Sequence, residues 1–456
     1  MICHTSLMLS EFVPLCGSTQ RDVIALPRKT DVGNYFISNY PPFSRWAPEQ
    51  IPHLQDALNW EAPKGPLALY VHIPFCRQRC NYCYFRVYPR RGPDEMDTYI
   101  VAILKELSLY ENYPAVAKRA LRSVYFGGGS PSYLTEGQIT QLFSGLQNRK
   151  HWDLVEECTF ECEPGTVTSA KLRTLKQAGV TRLSLGFQTL NDEILRKNGR
   201  GTTVAQSLIA YDMARKAGFN EINIDLIAGL PGETARTFAN TIKKVIALQP
   251  DCVTIYQLEL THNSALYGSM KRGAKRSIPT WKSKQQWVRD AFSALEEAGY
   301  TIGSGYMAIR DPANWRFVYT VEHFWHGADL LALGETSFGH FQGVHYQNLD
   351  TCDSYTKAVA AGQLPVRRAL RLRSEEKLRR EVILHLKTGA LDGTYFRKKF
   401  NVDLSFHFAN QFAELTRRGL MRAEGDRICL TRDGLLCVDW LLPSFYLPEH
   451  QHVRYT

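Results

Sequence analysis

From residue 67 onward the chain alternates short apolar runs with stretches of helical spacing, and that alternation limits the possible folds more than any other feature. The run "LALYVHI" is followed by "MDTYIVAILKELSLYENY", whose apolar residues recur at helical intervals. Next comes "LRSVYFGGGSP", a strand ending in a glycine loop. "ECTFECEP" then precedes "SAKLRTLKQAG", "VTRLSLGFQ" precedes "NDEILRKNG" and "TVAQSLIAYDMARKAG", and "INIDLIAGLPG" precedes "TARTFANTIKKVIALQ". "CVTIYQLEL" closes the series. Strand and helix alternating over about 200 residues predict βαβ units around a parallel sheet. Each chemically notable group falls just after a strand, at the carboxyl end where barrels and open α/β sheets carry their sites.

Three cysteines, Cys76, Cys80 and Cys83, follow the first strand within eight residues. Zinc sites usually take four ligands in two pairs, and a disulfide framework needs an even count, so this set fits neither. Three thiolates can hold three irons of a [4Fe–4S] cluster and leave the fourth open to a ligand. The spacing alone also suits a structural or zinc role; its place after a strand, with Tyr82 just before the third cysteine, favours the cluster. The other eight cysteines are scattered, which excludes a secreted disulfide framework. Cys162, beside Glu163, reads as a buried small hydrophobe rather than a fourth ligand.

With 456 residues, 44% hydrophobic and 22% charged, the chain has room for a barrel-sized domain and a smaller one. Residues 1–66 are proline-dotted and read as an arm, with "NYFISNYPPFSRW" as aromatic surface packed on the barrel. The core occupies 67–265, a mixed substrate-facing extension 266–364, and a C-terminal module 365–456. In that module, helices followed by two short strands around a turn suggest a winged-helix-like unit. The N-terminus lacks a basic segment and a long apolar run, and no later stretch reaches the ~18 apolar residues of a membrane span, so a cytoplasmic protein is expected. The net charge of +10 is uneven: residues 361–456 hold 17 Lys and Arg against 11 Asp and Glu. Their alternating signs suit a solvated helix face with i,i+4 pairs, and no nucleic-acid partner is expected.

The segments "YVHIPFC", "YFGGGSPSYL", "LSLGFQTLNDEIL", "INIDLIAGLPGET", "LALGETSFGHF" and "RREVILHL" make the chain resemble the radical S-adenosylmethionine (SAM) superfamily. The branch is the one typified by oxygen-independent coproporphyrinogen dehydrogenase. The resemblance implies an α/β fold, a partial (β/α)6 barrel of TIM type, with the N-terminal arm and the C-terminal winged-helix-like domain attached. It implies a [4Fe–4S] cluster on Cys76, Cys80 and Cys83, and SAM on its open iron. By the same resemblance, Tyr70, Tyr82, Gly127, Gly128, Gly129, Ser130, Glu163, Gln188, Arg200 and Asp225 surround SAM. The glycines bring bare backbone close to its amino acid portion. No general acid or base is assigned.

Departures from the branch pattern separate its members. The porphyrinogen dehydrogenases carry a further cysteine where this chain has Phe85, and Arg200 is followed here by Gly201 and Thr202. The heme chaperones resemble this region with His-Asn-x-x-Tyr-Trp, against Thr320-Val321-Glu322-His323-Phe324-Trp325. What remains resembles the class C radical SAM methyltransferases, which use two SAM molecules to add a methyl group to an sp2 carbon, such as C8 of menaquinone. The aromatic arm and "NWRFVYTVEHFWH" would then roof a planar, quinone-like substrate. A reductant such as flavodoxin or ferredoxin and peripheral membrane contact are implied partners. The alternatives are coproporphyrinogen III dehydrogenation, radical heme degradation and non-enzymatic heme binding.

Overall fold

The computed structural model describes residues 36–61, 65–150, 152–274, 277–314, 317–451 and 453. Six parallel strands follow the alternation in the sequence: β1 (Leu67–Ile73), β2 (Leu121–Gly128), β3 (Glu157–Cys162), β4 (Arg182–Gln188), β5 (Glu221–Ala228) and β6 (Cys252–Gln257). Helices Pro93–Tyr110, Glu136–Gln147, Ser169–Gln177, Val204–Lys216 and Ala235–Leu248 link them. Their starts are written locally. Thr135 and Gln138, Thr203 and Gln206, and Thr234 and Thr237 form reciprocal capping pairs that satisfy N–H groups the first helical turn leaves free.

A seventh parallel strand, β7 (Asp329–Leu333), lies beside β1 with Leu67 opposite Asp329. The mixed segment 266–364 therefore completes the sheet. Beyond β7 the strands Phe338–Phe341, Val344–Asn348 and Val366–Arg371 continue it in antiparallel order, and Met307–Ile309 pairs antiparallel with β6 at the other end. A separate three-stranded sheet of Ala390–Asp392, Met421–Glu424 and Arg427–Leu430 packs with C-terminal helices, in keeping with a winged-helix-like unit. The excess charge there is largely paired, as in Arg379 with Glu375, Lys399 with Glu381 and Arg418 with Glu414.

Side chains alternate along the parallel strands. Leu69, Val71, Val124, Phe126, Phe160, Leu183, Leu185, Ile222, Ile224, Val253 and Ile255 are buried in the main core. Between them stand Tyr70, Tyr125, Glu161, Ser184, Asn223, Asp225 and Thr254, which face the barrel interior and meet one another there. The fold thus sends apolar residues outward to the helices and polar ones into a lumen. No helix among the described residues is long and apolar enough to cross a membrane.

Candidate active site

The loop after β1 carries the three cysteines. Cys76 and Cys80 are buried and Cys83 is half-buried, and the nine described cysteines are all free thiols. Burial and mutual repulsion push the Cys76 thiol up, and burial pushes that of Cys83 to about 11. Crowded thiols such as Cys76 and Cys83, which resist ionising on their own, are suited to a cationic iron cluster, which would stabilise their thiolates. Arg200 brings Nη1 to 3.6 Å from Cys80 Sγ, while its Nη2 donates to the Gly186 carbonyl at 2.6 Å. Among the described residues no three of His, Cys, Asp and Glu surround a single-ion point, whereas a cubane takes its ligands at separate corners.

Two atoms at this loop lack an oxygen or nitrogen partner. Tyr82 Oη and Ser130 Oγ are buried without a regular hydrogen bond among the described residues, and Tyr82 has only the weakly bonding Cys80 thiol beside it. An orphaned buried hydroxyl costs ~1–3 kcal/mol, which a bound polar molecule would recover. Both belong to the set that the sequence assigns to SAM.

The glycine loop is held tightly against the cysteine strand. Gly129 N donates to Ile73 O and Ser130 N to Phe75 O, both at 2.8 Å. A Cβ on Gly129 would stand 2.8 Å from the Pro74 backbone, and one on Gly128, at φ +114°, would strike the His72 ring. Close backbone packing thus accounts for these glycines, together with a Gly128 N–H that donates to Glu161 Oε2 at 3.1 Å.

In the lumen, Glu161 also accepts from Tyr125 Oη at 2.7 Å, and burial raises its pKa to about 7. Asp225 accepts from Ser184 Oγ at 2.6 Å and Asn223 Nδ2 at 2.9 Å, and burial raises its pKa too. Tyr70 Oη lies 3.1 Å from His72 Nδ1. Tyr256 is 39% exposed, yet burial of its phenol and the charges of Asp225 and Glu161 raise its pKa, as expected at the wall of an internal cavity. Phe36, from the arm, packs edge-on against Tyr256 and Tyr306 at 6.1 and 5.3 Å. The rest of the arm upstream lies outside the described residues, as do Trp315, Arg316 and the His323 side chain.

Of the sequence-predicted residues, Tyr70 and Asp225 both face the lumen, from strands β1 and β5, and Tyr82, Ser130 and Arg200 border the cysteine loop. Gln188, at φ +67°, lies over Gly186, where a Cβ would meet its amide at 2.8 Å. Glu163 is committed elsewhere: its Oε1 accepts from Arg77 Nη2 at 3.0 Å and Thr202 Oγ1 at 2.9 Å. Sequence reasoning missed Glu161, Tyr125 and Tyr256. Strand alternation was the available signal, since it puts Glu161 on the same face as Glu163. Cys162 is buried in the core, as expected.

Residues 70–245 match the model of the Radical SAM superfamily. The chain carries a radical SAM domain. It is 28% identical over 413 residues to the oxygen-independent coproporphyrinogen III oxidase of Pseudomonas aeruginosa, covering 86% of this chain and 88% of that one. It is also 28% identical to the heme chaperone HemW of Lactococcus lactis, covering 84% and 98%. The solved structure of Escherichia coli coproporphyrinogen III oxidase (HemN), described as a radical SAM enzyme, superposes with a TM-score of 0.78 at 25% identity, over 90% of this chain and 96% of that one. The chain is thus similar over most of its length to these oxidases and chaperones, and residues 70–245 match a superfamily that works with a [4Fe–4S] cluster and SAM. None of these relatives is named as a menaquinone methyltransferase.

Proposed function

We propose that the chain is a radical SAM enzyme that removes hydrogen from a tetrapyrrole-type substrate, in the manner of an oxygen-independent coproporphyrinogen III oxidase. The observation that carries this reading is the convergence of Glu161, Asp225 and the phenols of Tyr70, Tyr125 and Tyr256 on one lumen beside the cysteine loop. Cys76, Cys80 and Cys83 hold the cluster. When bound, the reduced cluster and SAM supply a carbon-centred radical. Glu161 and Asp225 would offer acceptor oxygens to SAM, and Tyr82 and Ser130 their unpartnered hydroxyls. Gln188 and Arg200 close the side toward Gly186, with Arg200 Nη1 beside Cys80 Sγ. The stacked phenols of Tyr70 and Tyr125, 6.0 Å between centroids, give a flat wall for a planar ring and exclude water from it.

A second reading, methyl transfer from a second SAM to a neutral ring, draws on the charge of the lumen. Its described residues are acids, phenols and neutral polar groups, and the arginines around it are engaged, Arg182 with Glu221, Arg200 with Cys80 and Gly186, and Arg77 with Glu163. A neutral quinone-like ring suits such walls better than a substrate with several carboxylates. Heme binding by His326 has less support, because its Nδ1 is 2.7 Å from Val321 O and its ring packs on His385 at 4.2 Å.

Product analysis tests these readings. With coproporphyrinogen III, a reductant for the cluster and a one-electron acceptor to take the electron that the substrate radical gives up on decarboxylation, 5′-deoxyadenosine and carbon dioxide should appear together, with no S-adenosylhomocysteine. Equal amounts of 5′-deoxyadenosine and S-adenosylhomocysteine, with deuterium passing from CD3-labelled SAM into the deoxyadenosine, would replace the first reading by the second. Heme retained without either product would favour a chaperone.

A further inference from the structure

Between Gly65 and Pro93 the chain has five arginines and no lysine, aspartate or glutamate, although 45 of its 456 residues are acids. Arg77 turns inward to Glu163, and the other four, Arg79, Arg86, Arg90 and Arg91, are exposed. This collar is tied directly to the cluster loop. Arg79 Nη2 donates to the Cys83 carbonyl at 3.3 Å, and Arg90 N to the Cys76 carbonyl at 3.0 Å. The backbone N–H of Phe85 donates to the Cys83 thiol, while its ring is 43% exposed and packs on Tyr84 at 4.5 Å. Cys83 is the least buried of the three ligands, so the collar frames the edge of the cluster site nearest to solvent.

Among the described residues, the side chains of Arg79 and Arg90 pair with no acid. Arg86 shares the single carboxylate of Asp350 with Arg367, and Arg91 pairs with Glu95. Beside them opens a cleft of about 640 Å³, lined by Phe75, the neighbour of Cys76, by Arg86, Tyr88, Arg91 and Cys352, and by the acids Glu95 and Asp353. Exposed arginine mixed with aromatic side chains is the composition of protein-binding hot spots.

We infer that this collar is the docking surface for an acidic one-electron carrier protein of the flavodoxin or ferredoxin kind, which reduces the cluster through its Cys83 edge. The inference rests on the reading that Cys76, Cys80 and Cys83 hold a [4Fe–4S] cluster. One electron leaves the reduced carrier and enters the cluster, and no bond of this chain forms or breaks. Positive charge on the collar steers the acidic partner, and the exposed Phe85 ring supplies apolar contact at the point of closest approach. The rim acids Asp94, Glu95 and Asp353 oppose a nucleic-acid backbone but leave room for a protein with patterned charge.

The test uses full-length protein reconstituted anaerobically and the double variant Arg90→Glu/Arg91→Glu, whose side chains touch no residue of the lumen. Flavodoxin is the probe, with binding measured at low and high salt and the reduced-cluster signal followed by electron paramagnetic resonance. The variant should bind flavodoxin at least about tenfold more weakly at low salt and gain the signal correspondingly slowly from it. Titanium(III) citrate should reduce both proteins equally. Glu95→Gln, which frees Arg91, should instead tighten binding. Wild-type binding that ignores salt, or a double variant that binds and accepts electrons from flavodoxin as wild type does, would overturn the docking surface while leaving the cluster reading intact. No cluster signal from wild type with titanium(III) citrate would overturn both.

Discussion

Glu161, on β3, and Glu163, just past its end, stand two residues apart and have different surroundings. Among the described residues Glu161 accepts only from Tyr125 and the Gly128 amide, so it can turn an acceptor to a ligand, whereas Glu163 is held by Arg77 and Thr202. Glu161→Gln should leave the fold intact and cut reductant-dependent formation of 5′-deoxyadenosine by roughly 10- to 100-fold, the worth of one charge-assisted hydrogen bond. Wild-type cleavage by that variant would remove Glu161 from the site. Glu163→Gln should lower thermal stability as well, because it strips Arg77 of its partner. Changing Cys76, Cys80 and Cys83 together to Ala should abolish iron–sulfur absorbance after anaerobic reconstitution, and a stoichiometric cluster in that variant would sink the assignment. The cysteines were legible because their number and spacing are local. The choice between the two glutamates was not, because it is made by Arg77, which is distant in sequence and adjacent only after folding.

At the scale of elements, strand and helix order was readable from periodicity and from Thr-led helix starts, since both are written in neighbouring residues. The place of β7 was hidden: "DLLAL" looks like any short apolar run, and its pairing with β1 is fixed by contacts far along the chain. The turn after β7 is pinned by two buried carboxyls. Glu106 accepts from Gly334 N, Tyr355 Oη and Asn348 Nδ2, and Glu335 accepts from Tyr88 Oη. Burial raises each from 4.5 to about 8. Between those values the native protein keeps protons that the unfolded chain has released, so stability falls as pH rises, and the loss is complete above about 8. Buried His72, lowered from 6.5 to about 4, acts in the opposite sense but only below 6.5. The thermal midpoint should therefore drop from pH ~6.5 to ~8.5, and Glu106→Gln should flatten that slope. A midpoint that climbs across this interval would contradict the assignment.

The molecule as a whole is built around one continuous hydrophobic core that joins barrel and C-terminal segment. Leu378, Val382, Ile383, Leu386, Phe396 and Phe445 belong to the same cluster as Leu69, Phe126 and Ile224. Polar contacts cross the same boundary. Asp439 accepts from Ile37 N at 2.9 Å, Gly305 N donates to Lys387 O, and Gln257 Nε2 donates to Leu436 O. From sequence alone, with every cluster and SAM motif before residue 235, a truncation after about Leu364 is expected to impair substrate handling more than cluster assembly, the alternative being that the C-terminal module is needed for folding. The packing argues otherwise. Each large side chain lost from such a core costs ~2–5 kcal/mol, so removing several exceeds the ~5–15 kcal/mol by which a typical domain is stable. The truncation would also strip Val366–Arg371 from the sheet edge at Val344–Asn348. A chain ended at Leu364 should be insoluble or fail to take up iron, as judged by solubility and iron content after anaerobic reconstitution. The point variant Asp439→Asn should instead remain folded, with a modest loss of thermal stability, because it weakens one tie among many. A soluble truncation carrying a full iron complement would show that the barrel folds by itself and that the C-terminal segment serves the substrate alone.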